Sequence, residues 1–372
     1  MNTADNVADL YVILQQRIFG MLIDTLKGTR PRLTDLKAEE MVEWRLQALA
    51  QMGALTKQVV DYIVKTTPNL KKAVYDVIKK DGLKVGQSFN EDLAELLNQM
   101  PKPVSTETVQ LLDSYAAQTW KSLDNNVNQS LLSTNAGKNP ALRVYQDIIN
   151  KSTLAVTTGL KTPQKAIFDN IDDWVKSGLP TTLIDKGGHK WSLEGYTRTV
   201  ITTTTLRTYN DVRMQSLKDY SQTLAIMTSH PAARPACAPI QGKVVNVVDH
   251  GDSRFNPKYP TIYDYGYGTP AGTLGINCMH QLYPYVEGVT KNHQEHYDEQ
   301  EAIENGQKQQ LQRYYERQVR KWKQRKKAAE RIGNTNLVAK CNSSIRGYQA
   351  KIRKIVSEND FLTRQYDREK IF

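Results

Sequence analysis

The sequence predicts a mainly α chain with a small α+β domain: a helical N-terminal half, a loop-rich α+β unit, and a C-terminal basic helical hairpin. Three observations carry this. Apolar residues recur at three- and four-residue steps through most of the first 220 positions and again beyond about residue 293. That periodicity disappears from Leu224 to Val289, where short apolar runs alternate with Gly, Pro, Asn and Asp. Charge is also uneven: residues 305–372 hold 18 Lys+Arg against 6 Asp+Glu, whereas the first 304 hold 32 against 33. The expected boundaries are 1–180, 181–290 and 291–372.

In chain order, Leu10, Ile13, Leu14, Ile18, Met21 and Leu22 form the apolar stripe of a first helix. Thr34 is placed to cap a second, through Trp44, Leu46 and Leu49. Pro101-Lys102-Pro103 breaks the chain, and Ser105 caps a longer helix through Leu111, Leu112, Tyr115, Ala116, Trp120 and Leu123. Asn139-Pro140 and Thr162-Pro163 each start a helix with Pro at the first position, where a missing N–H costs nothing. Polar loops such as Ser133 to Lys138 lie between them. Leu183 to Lys186, Gly187-Gly188, then His189-Lys190-Trp191 reads as a β-hairpin, since Gly-Gly supplies the positive φ of a two-residue turn. Ser192 caps a helix carrying Tyr196, Val200, Leu206, Tyr209, Val212 and Leu217, against the β-branched run Thr202 to Thr205. Leu224–Met227 and Val244–Val248 are the strands of the loop-rich unit. Beyond it, Leu311, Tyr315, Val319, Trp322 and Ala329 form one stripe. Leu337, Cys341, Ile345, Tyr348, Ile352, Ile355 and Leu362 form another, with Gly333-Asn334-Thr335 as the turn between them.

Composition bounds the function. Hydrophobic residues make 39% and charged ones 24%, which excludes a disordered or collagenous chain. Three cysteines spread over more than a hundred positions are no disulfide framework and suit a reducing compartment. No signal peptide is expected, because the first basic residue, Arg17, falls inside the first apolar stretch. Leu10 to Leu26 is interrupted by Gln15, Gln16, Arg17 and Asp24, so no membrane span is expected. The basic excess points to a polyanion, nucleic acid or an anionic surface, although a charged helix can also simply be solvated. The candidate contacts are Arg313, Arg317, Arg320, Lys321, Lys323, Arg325, Lys326, Lys327 and Arg331. Arg320, Lys323 and Lys327 share a face off the apolar stripe, so their removal is expected to spare the fold. Tyr314, Tyr315, Trp322, Tyr348 and Tyr366 interleave with this charge, but packing on the stripes explains several of them first.

The chemically versatile side chains collect in the loop-rich unit. Two half-sites, His230/Cys237 and Cys278/His280, supply the four nitrogen and sulfur ligands a structural zinc needs. Neither half has the tight spacing of a zinc knuckle, so these residues can equally hydrogen-bond the backbone of turns. A Cys–His nucleophilic pair is open in principle, without a hydrolase signature around it. Ser229 lacks a nucleophile elbow, and Gly266-x-Gly268 is followed by neither Lys-Ser/Thr nor a helix as a phosphate loop requires. Glu299-x-Glu301 after Thr228-Ser229 has the residue order of ADP-ribosyltransferases, but in a polar helical run.

The same unit carries a family resemblance. Ser229-His230-x-x-x-Arg234-x-x-Cys237-Ala238-Pro239-x-Gln241-Gly242-Lys243-Val244 is succeeded by Tyr259-Pro260, Tyr265-Gly266-Tyr267-Gly268, Gly275-x-Asn277-Cys278-x-His280 and Tyr283-Pro284. This pattern resembles the phage minor capsid protein 2 family, a branch of the MuF-type head morphogenesis proteins. The segment Gln312-Arg313-x-x-Glu316-Arg317-x-Val319-Arg320-x-x-Lys323 resembles the stretch C-terminal to that motif in the family. The motif-bearing part covers about Gly195 to Phe372. Two departures stand out: Cys237 sits where relatives often carry His, and Met279 replaces an Arg. The resemblance implies a non-enzymatic, low-copy protein built into the phage head from the host cytoplasm. It would lie inside the shell near the portal protein and contact packaged double-stranded DNA, with no small-molecule substrate and no membrane. Residues 1–180 would be its portal- or shell-binding part. The alternative is an enzyme or toxin-like effector packaged in the head and delivered with the DNA.

Overall fold

The computed structural model describes residues 3–28, 36–135, 137–184, 188 and 190–372. The expected cap Thr34, Ala136, and the hairpin-turn residues Asp185 to Gly187 and His189 lie outside them. The chain is mainly helical, with a small antiparallel sheet, as the periodicity predicts. It divides into two compact units, one of residues 1–7, 71–121 and 198–311, the other of 8–70, 122–197 and 312–372.

The helices are α1 (Thr3–Gly28), α2 (Met41–Ala50), α3 (Met52–Tyr75), α4 (Asp81–Leu97), α5 (Thr106–Leu123), α6 (Gln129–Leu132), α7 (Pro140–Thr157) and α8 (Pro163–Ser177). A hairpin of β1 (Pro180–Ile184) and β2 (Lys190–Ser192) precedes α9 (Leu193–Asp219). Over residues 52–97, where apolar periodicity marks no separate element, α3 and α4 join through a π-helical turn, Asp76–Lys80. The predicted caps at Ser105, Asn139, Thr162 and Ser192 form. Ser105 Oγ accepts from Thr108 N at 3.3 Å, Thr162 accepts from Lys165 N, and Ser192 Oγ accepts from Gly195 N at 3.2 Å. Asn139 accepts from Ala141 N and Leu142 N while donating to Leu131 O and Ser133 O. Thr202–Thr205 stay helical in α9, where Thr205 is buried and Thr208 Oγ1 donates to Thr204 O. Packing and this back-bonding override the β-branched preference.

In the unit formed by residues 8–70, 122–197 and 312–372, Tyr11, Leu14, Ile18, Leu22, Trp44, Tyr145 and Ile171 are fully buried. Phe19 meets Trp174 edge-on at 4.4 Å, and the Tyr145 hydroxyl donates to Ala48 O at 3.0 Å. The long helix α10 (Glu299–Ile332) contributes its residues from Gln312 onward to this unit, together with α11 (Thr335–Ser357). The predicted turn is present: Gly333 takes φ +76°, and Asn334 caps α11 through Leu337 N. Val319, Ala329, Cys341, Ile352, Ile355 and Leu362 of the two stripes are buried.

In the other unit a three-stranded antiparallel sheet has the order β4-β3-β5, with β3 (Leu224–Met227) central between β4 (Val244–Asn246) and β5 (Leu282–Pro284). Ala225 and Met227 face one core with Leu217, Ile240, Val245, Ile262 and Leu282, while Leu224 and Ile226 face a smaller cluster with Val244 and Tyr285. Apolar burial of this kind stabilises by about 1.5–3 kcal/mol per large side chain. Because both neighbours run antiparallel to β3, its C-terminal end lies beside the N-terminal ends of β4 and β5. The segments after β3, before β4 and before β5 therefore converge at one end of the sheet.

Candidate functional site

That convergence brings together residues from both predicted half-sites. Cys237, Cys278 and His280 place one potential ligand atom each within 4.8 Å of one another, and all three are buried. The two sulfurs are 3.7 Å apart, and Cys278 Sγ is 3.3 Å from His280 Nδ1. His230, the fourth predicted ligand, is not in this group. Its ring packs edge-on against His280 with centroids 4.7 Å apart, and its Nε2 lies 3.4 Å from Thr228 Oγ1.

The surrounding motif residues hold this arrangement. Gln241 Oε1 accepts from the His230 backbone N–H at 3.0 Å and lies 2.9 Å from His280 Nε2. The loop carrying Cys278 has left-handed backbone at Leu274 (φ +54°) and Asn277 (φ +56°), an uncommon conformation for side-chain-bearing residues. Arg234 pins it by donating to Gly272 O at 2.8 Å and Ile276 O at 2.9 Å. Gly242 has φ +71°, and a Cβ there would meet Glu295 O at 3.0 Å. At Gly272 a Cβ would lie 1.8 Å from Gly266 O, so only glycine fits. Gly266 and Gly268 form the turn after the short helix Ile262–Tyr265, and Ser229 N donates to Gln294 Oε1 at 3.0 Å. Sequence reasoning missed Asn210 of α9, which is buried, donates to His280 O and accepts from Leu282 N. A buried Asn in the middle of an apolar helix face is the signal that points to it.

The thiols are electrostatically unequal. The Cys278 S–H contact holds Cys237 below the ordinary thiol value. The same contact and burial push Cys278 up. Burial, then the neighbouring His280, lowers His230, so its imidazole is neutral at pH 7.

The nine predicted DNA contacts prove unequal. Arg325 donates twice to Asp172, at 2.7 and 2.6 Å, with side chains 9% and 16% exposed. Arg320 pairs with Glu194 at 3.1 Å and also donates to Arg368 O. Arg331 pairs with Asp24 through two bonds, and Lys323 donates to Glu369 O at 2.8 Å. Lys327 donates to Phe372 O at 2.5 Å, Lys326 lies 3.6 Å from Glu330, and Lys321 is half-buried. Arg313 is half-buried and Arg317 is exposed. Arg320, Lys323 and Lys327, expected to be removable without loss of the fold, each bond a segment outside α10. Their partners lie 45 to 126 positions away in sequence, beyond the reach of helical spacing.

A second basic surface lies on α11, which carries Lys340, Arg346, Lys351, Arg353 and Lys354 and no Asp or Glu. Cys341, Ile352 and Ile355 mark its buried side. Arg346, Arg353 and Lys354 project from the opposite side and are exposed, with Lys354 3.7 Å from Glu358 just past the helix end. Lys351 lies over the rings of Tyr315 and Tyr348 at 5.6 and 5.2 Å. Among the described residues no helix is long and apolar enough to cross a membrane.

Comparison with known proteins agrees with the motif. The family described as Phage minor capsid protein 2 matches residues 1–357. A protein named "Structural protein" from Lactococcus phage LL-H is 90% identical over 362 residues, covering 97% of this chain and 98% of that protein. Another "Structural protein", from Lactococcus phage mv4, is 88% identical over 120 residues, which is 32% of this chain and 98% of that protein. No solved structure matches. With a family match that runs through both compact units and the motif loops alike, this chain belongs to the phage minor capsid protein 2 family.

Proposed function

We propose that this protein is built into the phage head at low copy, next to the portal and inner shell, and that it contacts packaged double-stranded DNA through the hairpin of α10 and α11. Family membership supports a place in the virion. The observation that carries the DNA reading is the outer side of α11, where Arg346, Arg353 and Lys354 are exposed in a helix with no acidic residue. Arg346 and Arg353 are two turns apart, about 10 Å along the axis, and so share one side of the helix toward a phosphate backbone. The nearly neutral, helix-rich residues 1–180 are the proposed portal- or shell-binding part. The alternative of a packaged enzyme rests on a Cys–His pair, Cys237 or Cys278 with His230 or His280, of which the two cysteines and His280 are buried and His230 is half-buried.

The test is a salt titration of duplex affinity for the full chain and for the Arg346→Ala/Arg353→Ala/Lys354→Ala variant. About four phosphate contacts give a slope of log affinity against log salt near −4 for the wild type, and the variant is shallower by about 2–3. Identical slopes refute the assignment. Heads that incorporate a chain lacking residues 1–180 at normal levels refute the portal-binding part.

A further inference from the structure

We propose that Cys237, Cys278 and His280 bind one zinc ion, through the two sulfurs and His280 Nδ1, with a water as the fourth ligand. Tetrahedral zinc with Zn–S of about 2.3 Å and Zn–N of about 2.0–2.1 Å places two sulfur ligands about 3.8 Å apart and sulfur and nitrogen about 3.5 Å apart. The observed separations are 3.7 Å for Sγ to Sγ and 3.3 Å for Cys278 Sγ to His280 Nδ1. A disulfide would need the sulfurs at about 2.05 Å.

The tautomer of His280 is fixed by an unambiguous donor. The His230 backbone N–H can only donate, so the Gln241 atom 3.0 Å from it is the carbonyl oxygen. That same oxygen lies 2.9 Å from His280 Nε2, which must then carry a proton to donate to it. In the neutral ring, Nδ1 is left bare and faces the sulfurs, the state a metal ligand requires. A histidine whose other nitrogen donates to a carbonyl is the usual outer support of a zinc site. Gln241 is thus a positioning residue. The sulfurs have their own support: the His280 backbone N–H approaches Cys278, and Thr273 Oγ1 lies 3.6 Å from Cys237. Two thiolates and an imidazole favour zinc over hard cations such as magnesium or calcium. The ion would tie the segments entering β4 and β5 together in a unit whose sheet has only three short strands.

Zinc content of the full chain, purified under reducing conditions from zinc-supplemented cells, tests this. One zinc per chain is expected, released as a mercurial titrates the thiols, and Cys341→Ser retains it. Cobalt substitution is expected to give thiolate-to-metal charge transfer and the intense d–d bands of a tetrahedral site. Gln241→Ala should weaken zinc by about 10- to 100-fold in chelator competition. Cys278→Ser is expected to lose the zinc; if it fails to fold, the cobalt spectrum and the Gln241 variant carry the test. His230→Ala keeps its zinc, and its loss there would overturn the three-residue set. Zinc-free protein, a Cys237–Cys278 disulfide in the freshly purified chain, or cobalt protein without charge transfer overturns the proposal.

Discussion

Asp172→Ala measures how far the basic charge of α10 is committed to the fold. Arg325 makes two parallel bonds to Asp172 at 2.7 and 2.6 Å, with its guanidinium 3.9 Å from the Trp322 ring centre. Breaking a fully buried pair by removing one partner costs about 3–5 kcal/mol, because the remaining charge is stranded. An exposed pair is worth about 0–1 kcal/mol. With the two side chains 9% and 16% exposed, Asp172→Ala should lie near the lower end of the buried range, about 3 kcal/mol. The apolar double replacement Asp172→Leu/Arg325→Met should come back to within about 1 kcal/mol of wild type, since it strands no charge. Urea unfolding monitored by tryptophan fluorescence and far-ultraviolet circular dichroism reads both, and Arg325→Ala completes a double-mutant cycle. A loss below about 1 kcal/mol for Asp172→Ala, together with weaker DNA binding by Arg325→Ala, would refute the reasoning. Arg325 would then be an external cation, as its place in the sequence run suggests.

Two other sites give measurable outcomes. Asn139→Ala should cost about 2–4 kcal/mol, because it removes a cap worth about 1 and strands the Leu131 and Ser133 carbonyls, whereas Thr162→Ala should cost about 1 or less; comparative urea unfolding distinguishes them. Burial raises the native Asp211 carboxyl above its ordinary value, against the opposing bonds from Tyr115 and Tyr267. The folded state therefore holds that proton to higher pH than the unfolded chain, and stability falls as pH rises from the ordinary carboxylate value through the raised one. Asp211→Asn should lack that decline in a stability profile from about pH 3 to 7, and an unchanged profile would contradict it.

Local structure was legible where the signal is local. Caps at Ser105, Asn139, Thr162 and Ser192 depend on a side chain reaching a backbone N–H two or three residues on, so the sequence states both partners. The Gly333 turn and the two stripes of α10 and α11 have the same origin, as does the loss of periodicity around β3 and β4. The short strand β5 escaped notice, because three residues ending in Pro284 show no alternation to read.

The sequence by itself determined the mainly helical class, the position of the loop-rich unit, the concentration of positive charge near the end of the chain, and the motif that places it in its family. Tertiary structure alone decided which of those side chains meet. The order β4-β3-β5 makes neighbours of Cys237 and Cys278, 41 positions apart, and leaves His230 beside the group. Folding likewise sets Asp172, 153 positions before Arg325, against α10. The basic residues of the last fifth of the chain are thereby divided into cations bonded to distant segments, such as Arg320 and Arg325, and exposed ones, such as Arg317, Arg346 and Arg353. The physical reason is range: caps and helical stripes depend on residues at most a few positions apart. Ion pairs and ligand sets depend on distances in space, which no spacing along the chain encodes.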